Sequence, residues 1–188
     1  MLLNETYKRF VRSGANLTQE NKEQLKKYNS ELSVLSLKYG DNLLNETNNY
    51  ELVIDKKEEL AGLPQELIDA AAADAKAKGK EGKWVFTLSN SSVMPFLQYA
   101  ANRELRETML NAYQMRGNQN NESDNKDIAL KIANLRMQKA QLLGYKNHAE
   151  YVLEESMAKN PEAVNNILMK LWTPALEKAK KEATDIQE

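Results

Sequence analysis

The chain contains a single histidine, His148, and histidine is the side chain best suited to proton transfer near neutral pH. A zinc site needs three or four His, Cys or carboxylate ligands, and the chain has no second histidine and no cysteine. His148 and Glu150 resemble the His-x-Glu of zinc deaminases, but the Cys-x-x-Cys found with it there is missing. We therefore predict that Asn147 caps a helix and that His148 lies in its first turn. A lone catalytic base at His148 is the alternative.

Other candidate groups for chemistry have simpler structural interpretations. Adjacent residues of a helix point about 100° apart, so neighbouring carboxylates do not face one site. Such neighbours are Glu58 with Glu59, Glu154 with Glu155, and Asp185 with Glu188. Three serines in the stretch TLSNSS lack the Gly-x-Ser-x-Gly elbow of a nucleophile and are interpreted as helix caps: Ser89, Ser91 and Ser92. The basic run KAKGKEGK (76–83) is interpreted as a helix end. We predict no catalytic, cofactor-binding or metal-binding residue in this chain.

The composition limits the class of protein. The 188 residues, with 41% hydrophobic and 28% charged, suit one medium domain or two small ones and are enough to bury a core. A net charge of -1 argues against a dedicated nucleic-acid binder. No apolar run of about 18 residues occurs, so we expect no membrane span. The absence of cysteine excludes disulfides and thiol catalysis and fits a reducing compartment.

Apolar residues recur every three or four positions along most of the chain, which predicts a mainly α fold of several helices packed antiparallel. The helices are predicted at about 3–12, 18–48, 64–78, 91–115, 125–143, 148–157 and 160–186. Two β-rich stretches, at about 51–54 and 84–87, predict a minor two-stranded ribbon. Asn102 is positioned to divide 91–115 into two helices, and Pro174 is expected to kink or split the last one. Core positions are expected for Trp84 and Trp172.

The last apolar stripe still continues at Ile186, where the chain stops without a Gly, Asn or polar tail. This pattern is typical of a chain cut inside a helix. We therefore expect residues 1–188 to be one helical segment of a longer protein.

Four stretches, taken in order, resemble a known family. They are YKRFVRSGANLTQENKEQLKKYNSELSVLSLKYGDNLLNET (7–47), LAGLPQELIDAAAADAKAKGKEGKWVFTL (60–88), QLLGYKNHAEYVLEESMAKNPEAV (141–164) and LWTPALEKAKKEA (171–183). Together they resemble the N-terminal half of bacterial peptidyl-dipeptidases, which belong to the thimet-oligopeptidase-like zinc metallopeptidases. The resemblance extends from about Leu3 to Glu188, and none of the matching stretches is catalytic.

The resemblance implies a longer, mostly helical protein whose two halves enclose a channel for short peptides. It implies a zinc ion held by a His-Glu-x-x-His helix and a further Glu, and the release of dipeptides from substrate C-termini. No catalytic residue transfers to this chain, which lacks that motif. The expected partners are short peptides and the C-terminal catalytic half of the same protein, without nucleic acid or membrane.

Two readings of function follow. The first is a non-catalytic N-terminal portion of a zinc oligopeptidase that forms one wall of its substrate channel. The alternative is a freestanding helical module that binds a peptide or protein through one groove, for which the stripe at 164–186 is suited. The implied location is cytoplasmic, or periplasmic if an upstream signal was removed.

Overall fold

The computed structural model describes residues 2–187 and confirms a mainly α fold with one small ribbon. The helices are Leu2–Arg12 (α1), Gln19–Asn49 (α2), Gln65–Ala77 (α3), Asn90–Tyr99 (α4), Arg103–Gln114 (α5), Lys126–Leu142 (α6), His148–Leu153 (α7) and Pro161–Gln187 (α8). The strands are Leu52–Ile54 (β1) and Trp84–Phe86 (β2), and a short 3₁₀ helix spans Lys57–Leu60. The chain divides into two compact units, of which Ser33–Lys131 form one.

The unit Ser33–Lys131 is built around the ribbon. Strands β1 and β2 pair antiparallel with Val53 opposite Val85, and α3 packs on β2. A two-stranded ribbon is marginal alone, so its apolar face needs the helices that cover it. Phe86 and Phe96 lie at the centre with ring centroids 4.8 Å apart. Trp84 packs against this core, as predicted.

A close backbone approach joins two loops of the same unit. Gly62 has φ +86°, and the Ala101 N–H donates to the Ala61 carbonyl beside it at 2.8 Å. A Cβ at position 62 would lie 2.3 Å from the Tyr99 carbonyl oxygen. Only glycine satisfies both the left-handed backbone and this contact.

The region 91–115 forms two helices, α4 and α5, rather than one. The Asn102 side chain accepts from the N–H groups of Glu104 at 3.0 Å and Leu105 at 3.2 Å, which starts α5. The Arg106 guanidinium donates to the carbonyls of Ala100 and Ala101, which lie between the helices. These bonds satisfy the backbone groups that the break leaves unpaired.

The predicted helix 148–157 is shorter in the structure and ends at Leu153. The Ser156 N–H and hydroxyl both donate to the Leu153 carbonyl, at 2.9 and 2.8 Å, and so turn the chain. Lys159 then adopts φ +64°, which interrupts the approach to α8. The remaining helices and both strands begin and end within one residue of their predicted bounds.

The second unit comprises the residues up to Leu32 and those from Ile132 onward. Its buried apolar side chains include Leu25, Leu135 and Ala140. Asn160 caps α8 through a 2.8 Å bond from the Ala163 N–H, and α8 continues through Pro174 without being split. Trp172 is 58% exposed, so the prediction of a core position was wrong. No other segment within the described residues buries the apolar side chains of α8.

Candidate functional site

His148 is the first residue of α7, and Asn147 caps that helix by accepting from the Glu150 N–H at 2.9 Å. Its Nδ1 is buried without a hydrogen-bond partner among residues 2–187. Burial lowers the pKa of the imidazole, and the positive charges of Arg136 and Lys139 lower it further. A neutral imidazole is the form that this environment favours.

Beside His148, a polar and aromatic cluster joins α1 to α7. The Arg12 guanidinium donates to the Tyr151 carbonyl at 2.7 Å and the Tyr145 hydroxyl at 3.1 Å, and it forms an ion pair with Glu154. The Tyr145 hydroxyl donates to the same carboxylate at 2.6 Å. The two tyrosine rings meet edge to face with centroids 5.1 Å apart. The ion pair and these hydrogen bonds hold α1 against α7.

The neighbouring carboxylates within residues 2–187 lie in different surroundings. Glu58 and Glu59 lie in the 3₁₀ helix, and Glu155 is exposed while Glu154 belongs to the Arg12 cluster. Glu188 lies outside the described residues. Within residues 2–187, no three His, Cys, Asp or Glu side chains come together in a way that could hold a metal ion.

Ser89 precedes α4, while Ser91 and Ser92 lie in its first turn, and the Ser89 side chain does not cap the helix as predicted. Ser89 is the flanking residue, and its side chain makes no bond to the first turn. The Ser92 hydroxyl instead accepts from the Thr87 N–H at 3.0 Å, and the Ser89 hydroxyl lies 3.3 Å from that of Ser91. These bonds stabilise the connection from β2 to α4.

The basic run 76–83 is neutralised by carboxylates beside β1. Lys78 forms an ion pair with Glu51 at 3.0 Å, Lys80 contacts the same carboxylate, and Lys83 pairs with Asp55 at 3.2 Å. The hydrogen bonds from Lys80 and Lys78 lower the pKa of Glu51. The run therefore attaches the loop after α3 to the ribbon.

The loop between α5 and α6 is fixed by buried amides and by one carboxylate of α2. Asn125, which is buried, donates to the Tyr39 carbonyl at 3.1 Å and accepts from Asn42 at 2.9 Å. Glu46 accepts from the Gly117 N–H and from Asn121 at 2.7 Å. Buried polar groups need hydrogen-bond partners, so these bonds hold the loop against α2.

A cavity of about 230 Å³ lies where this loop meets the end of α2 and α5. Its polar lining residues include Asn49, Tyr50, Arg116 and Gln119. Arg116 is held by bonds from Nε to the Tyr113 carbonyl at 3.0 Å and from Nη1 to the Thr47 hydroxyl at 2.8 Å. Sequence reasoning gave no sign of this cavity, because its residues come from three separate stretches of the chain.

An apolar face runs along α8. More than half of each of its central side chains is exposed: Ile167, Leu168, Leu171 and Trp172. No helix within residues 2–187 is long and apolar enough to cross a membrane. Contiguous exposed apolar surface of this kind is typical of an interaction surface.

Comparison with known proteins decides the family. A model of peptidase family M3 matches residues 96–188. The chain is 37% identical over 186 residues to a probable cytosolic oligopeptidase A of Arabidopsis thaliana, with 94% of this chain and 26% of that protein covered. It is 32% identical to dipeptidyl carboxypeptidase of Escherichia coli K12, with 99% and 27% covered. It is 34% identical to oligopeptidase A of Haemophilus influenzae, with 95% and 27% covered.

The chain belongs to peptidase family M3. It spans about a quarter of the length of the curated relatives that it matches. The part that matches the M3 family model begins at Phe96 within α4 and includes the loop after α5, His148 and the apolar face of α8.

Proposed function

We propose that this chain is the non-catalytic N-terminal portion of a zinc-dependent, peptidyl-dipeptidase-like M3 oligopeptidase. The observation that carries the proposal is the match of nearly the whole chain to M3 peptidases about four times its length. The substrates of the complete protein would be short peptides, from whose C-termini dipeptides leave. Its location would be cytoplasmic, or periplasmic if an upstream signal was removed.

The residues of this chain do not suit the zinc ion of that reaction. The sequence has one histidine and no cysteine, and His148 has a buried Nδ1 beside two cations, Arg136 and Lys139. A neutral nitrogen near positive charges is a poor place for a divalent cation. We infer that a different part of the protein holds the metal and performs hydrolysis, while this part forms one wall of the peptide channel.

The exposed apolar face of α8 supports the proposal that another part of the same protein packs on this helix. Four large side chains at positions 167, 168, 171 and 172 lie on one side of the helix and are more than half exposed. Burying a side chain of this size stabilises an interface by roughly 1.5–3 kcal/mol. We propose that the C-terminal catalytic half of the same protein packs on this face.

The test is expression of the complete reading frame from which this chain derives. We expect a His-Glu-x-x-His motif downstream and release of dipeptides from N-terminally blocked peptides, detected by mass spectrometry. Folded proteins that contain the same sequence should not be cut, because a channel admits only extended chains. A reading frame that closes at Glu188, or products cut from the N-terminus, would contradict the proposal.

The exposed face of α8 also favours a second candidate, a freestanding helical module that binds a peptide or a partner helix. An apolar helix face can dock in a groove or accept another helix. This candidate requires a partner from another gene, whereas the first requires covalent continuation of the chain. The complete reading frame therefore separates the two candidates.

A further inference from the structure

The cavity between the end of α2, α5 and the loop 115–125 has a rigid wall. Glu46 binds the loop at Gly117 and Asn121, and the buried Asn42–Asn125 pair fixes the loop's far end. Gly117 adopts φ +73°, and a Cβ there would lie 2.9 Å from the Asn125 amide nitrogen. The loop that forms this wall is thus positioned before any ligand arrives, which reduces the entropy lost on binding.

Arg116 is the cation of this cavity, and its hydrogen bonds go to neutral groups rather than to the carboxylate of Glu46. Its hydrogen-bond acceptors are the neutral Tyr113 carbonyl and Thr47 hydroxyl, and its guanidinium carbon lies 3.9 Å from the Tyr113 ring centroid. Nη2 makes no hydrogen bond within residues 2–187, and Arg116 joins no ion pair there. A guanidinium held in this way keeps donors for an incoming carboxylate.

Glu46 is the acidic residue of the cavity wall, but its two oxygens are used by the loop. One accepts from the Gly117 N–H, and the other accepts from the Asn121 amide at 2.7 Å. These donors disperse its negative charge toward the loop. The remaining space therefore favours an anion near Arg116 more than a cation near Glu46.

Amide and hydroxyl groups complete the lining. Asn49 and Gln119 line the cavity, and neither side chain makes a hydrogen bond to another described residue. Tyr50 also lines it, and burial raises the pKa of its hydroxyl, which therefore stays protonated. Side-chain amides both donate and accept, as recognition of a peptide group requires.

We propose that this cavity binds the free carboxylate end of a short peptide, with the carboxylate on Arg116 and the adjoining peptide group on Asn49 and Gln119. The volume of about 230 Å³ suits a terminal residue rather than a long segment, because drug-sized ligands occupy pockets of about 300–1,000 Å³. The choice of a peptide rests on the proposed function. The carboxylate specificity rests on the residues of this cavity.

The test is titration of the ¹⁵N-labelled 188-residue chain with N-acetyl-Ala-Ala as the free acid and as the C-terminal amide. We expect the free acid to bind at least about tenfold more tightly, because a hydrogen bond between charged groups is worth more than a neutral one. The largest shifts should come from the amides of residues 116–121 and from the side chains of Asn49 and Gln119. Acetate should compete poorly, since it lacks the peptide group.

Arg116→Gln should weaken binding of the free acid to the level of the amide. Arg103→Ala in α5 is the matched control, because it also removes one positive charge but lies outside this cavity. Gln119→Ala is a second test, since Gln119 makes no side-chain bond that the fold needs, and it should weaken binding several-fold. Circular dichroism at the temperature of the titration checks that the Arg116→Gln variant remains folded.

Equal affinity for acid and amide would overturn the proposal, and so would equal losses in Arg103→Ala and Arg116→Gln. Acetate that competes as well as the peptide would assign the cavity to small carboxylates and overturn the peptide assignment. These outcomes are independent of catalysis. A complete protein that hydrolyses peptides but carries no acid-selective cavity would retain the proposed function and lose only this inference.

Discussion

His148 is the first residue of α7, and its Nδ1 has no hydrogen-bond partner among the described residues 2–187. The ring packs near Tyr151, with centroids 6.4 Å apart, and Nδ1 is buried. Protonation would place a charge on a partly buried group near Arg136 and Lys139, which explains why its pKa is lowered from its ordinary value of 6.5. We therefore expect protonation of this residue to destabilise the fold in acid.

The first prediction concerns the pH dependence of stability. Because the folded pKa is lowered, the unfolded chain binds more protons below pH 6.5, so stability should fall as pH decreases through this value. For one proton the slope cannot exceed about 1.4 kcal/mol per pH unit. The midpoint of urea unfolding should decrease from pH 7.5 to 5.5 in the native chain and decrease less in His148→Gln. Equal decreases would show that His148 is not the group responsible.

At the scale of elements, a backbone contact between two loops helps to position the short helix α4. The segment Ala61–Leu63 lies against the connection between α4 and α5, joined by the bond from Ala101 to Ala61. A side chain at position 62 has no flexible neighbour to displace, because the nearest atom is the Tyr99 carbonyl oxygen. The position of α4 on the ribbon thus depends on one residue without a Cβ.

The second prediction compares two glycines. Gly62→Ala should lower the free energy of unfolding by at least about 1–3 kcal/mol, because it adds a backbone clash to a strained φ. Gly40→Ala lies within α2 with open space around its Cβ, and should raise stability by about 0.5–1 kcal/mol. Chemical denaturation of both variants is the measurement. An unchanged free energy of unfolding in Gly62→Ala would contradict the close approach.

At the scale of the whole molecule, the apolar face of α8 indicates that the chain acts as part of a larger assembly. Helix α8 has no buried residue within the described chain, yet four large exposed apolar side chains lie on one side of it, Ile167, Leu168, Leu171 and Trp172. A helix of this length gains most of its stability from packing rather than from propensity. The proposed catalytic half would provide the missing packing.

The third prediction tests that packing through Trp172. In the 188-residue chain, Trp172→Ala should change stability by no more than about 0.5 kcal/mol, because the side chain is 58% exposed. In the protein from the complete reading frame, the same substitution should cost about 3–5 kcal/mol, as for a buried tryptophan. Lys180→Ala on the same helix is the control and should have little effect in either protein. Equal small effects of Trp172→Ala in both would contradict docking on α8.

The sequence predicted the helices well because local signals specify them. Asn102, Asn147 and Asn160 each cap a helix through a side-chain bond to a nearby N–H, and such bonds depend on a few neighbouring residues. The exposed position of Trp172 was not predicted, because it depends on what packs beside the helix. The early end of α7 was also missed, although the Ser156 bonds to the Leu153 carbonyl that accompany it are local. The cavity at Arg116 was missed because it joins separate stretches of the chain: Thr47 and Arg116 are 69 residues apart.

The most direct test of the central claim is a peptide-hydrolysis assay of two purified proteins, the 188-residue chain and the product of its complete reading frame, with and without a zinc chelator. We predict that the complete protein cleaves short peptides, that the chelator abolishes cleavage, and that the 188-residue chain is inactive in both conditions. Zinc-dependent cleavage by the 188-residue chain alone, or no cleavage by the complete protein, would contradict the account.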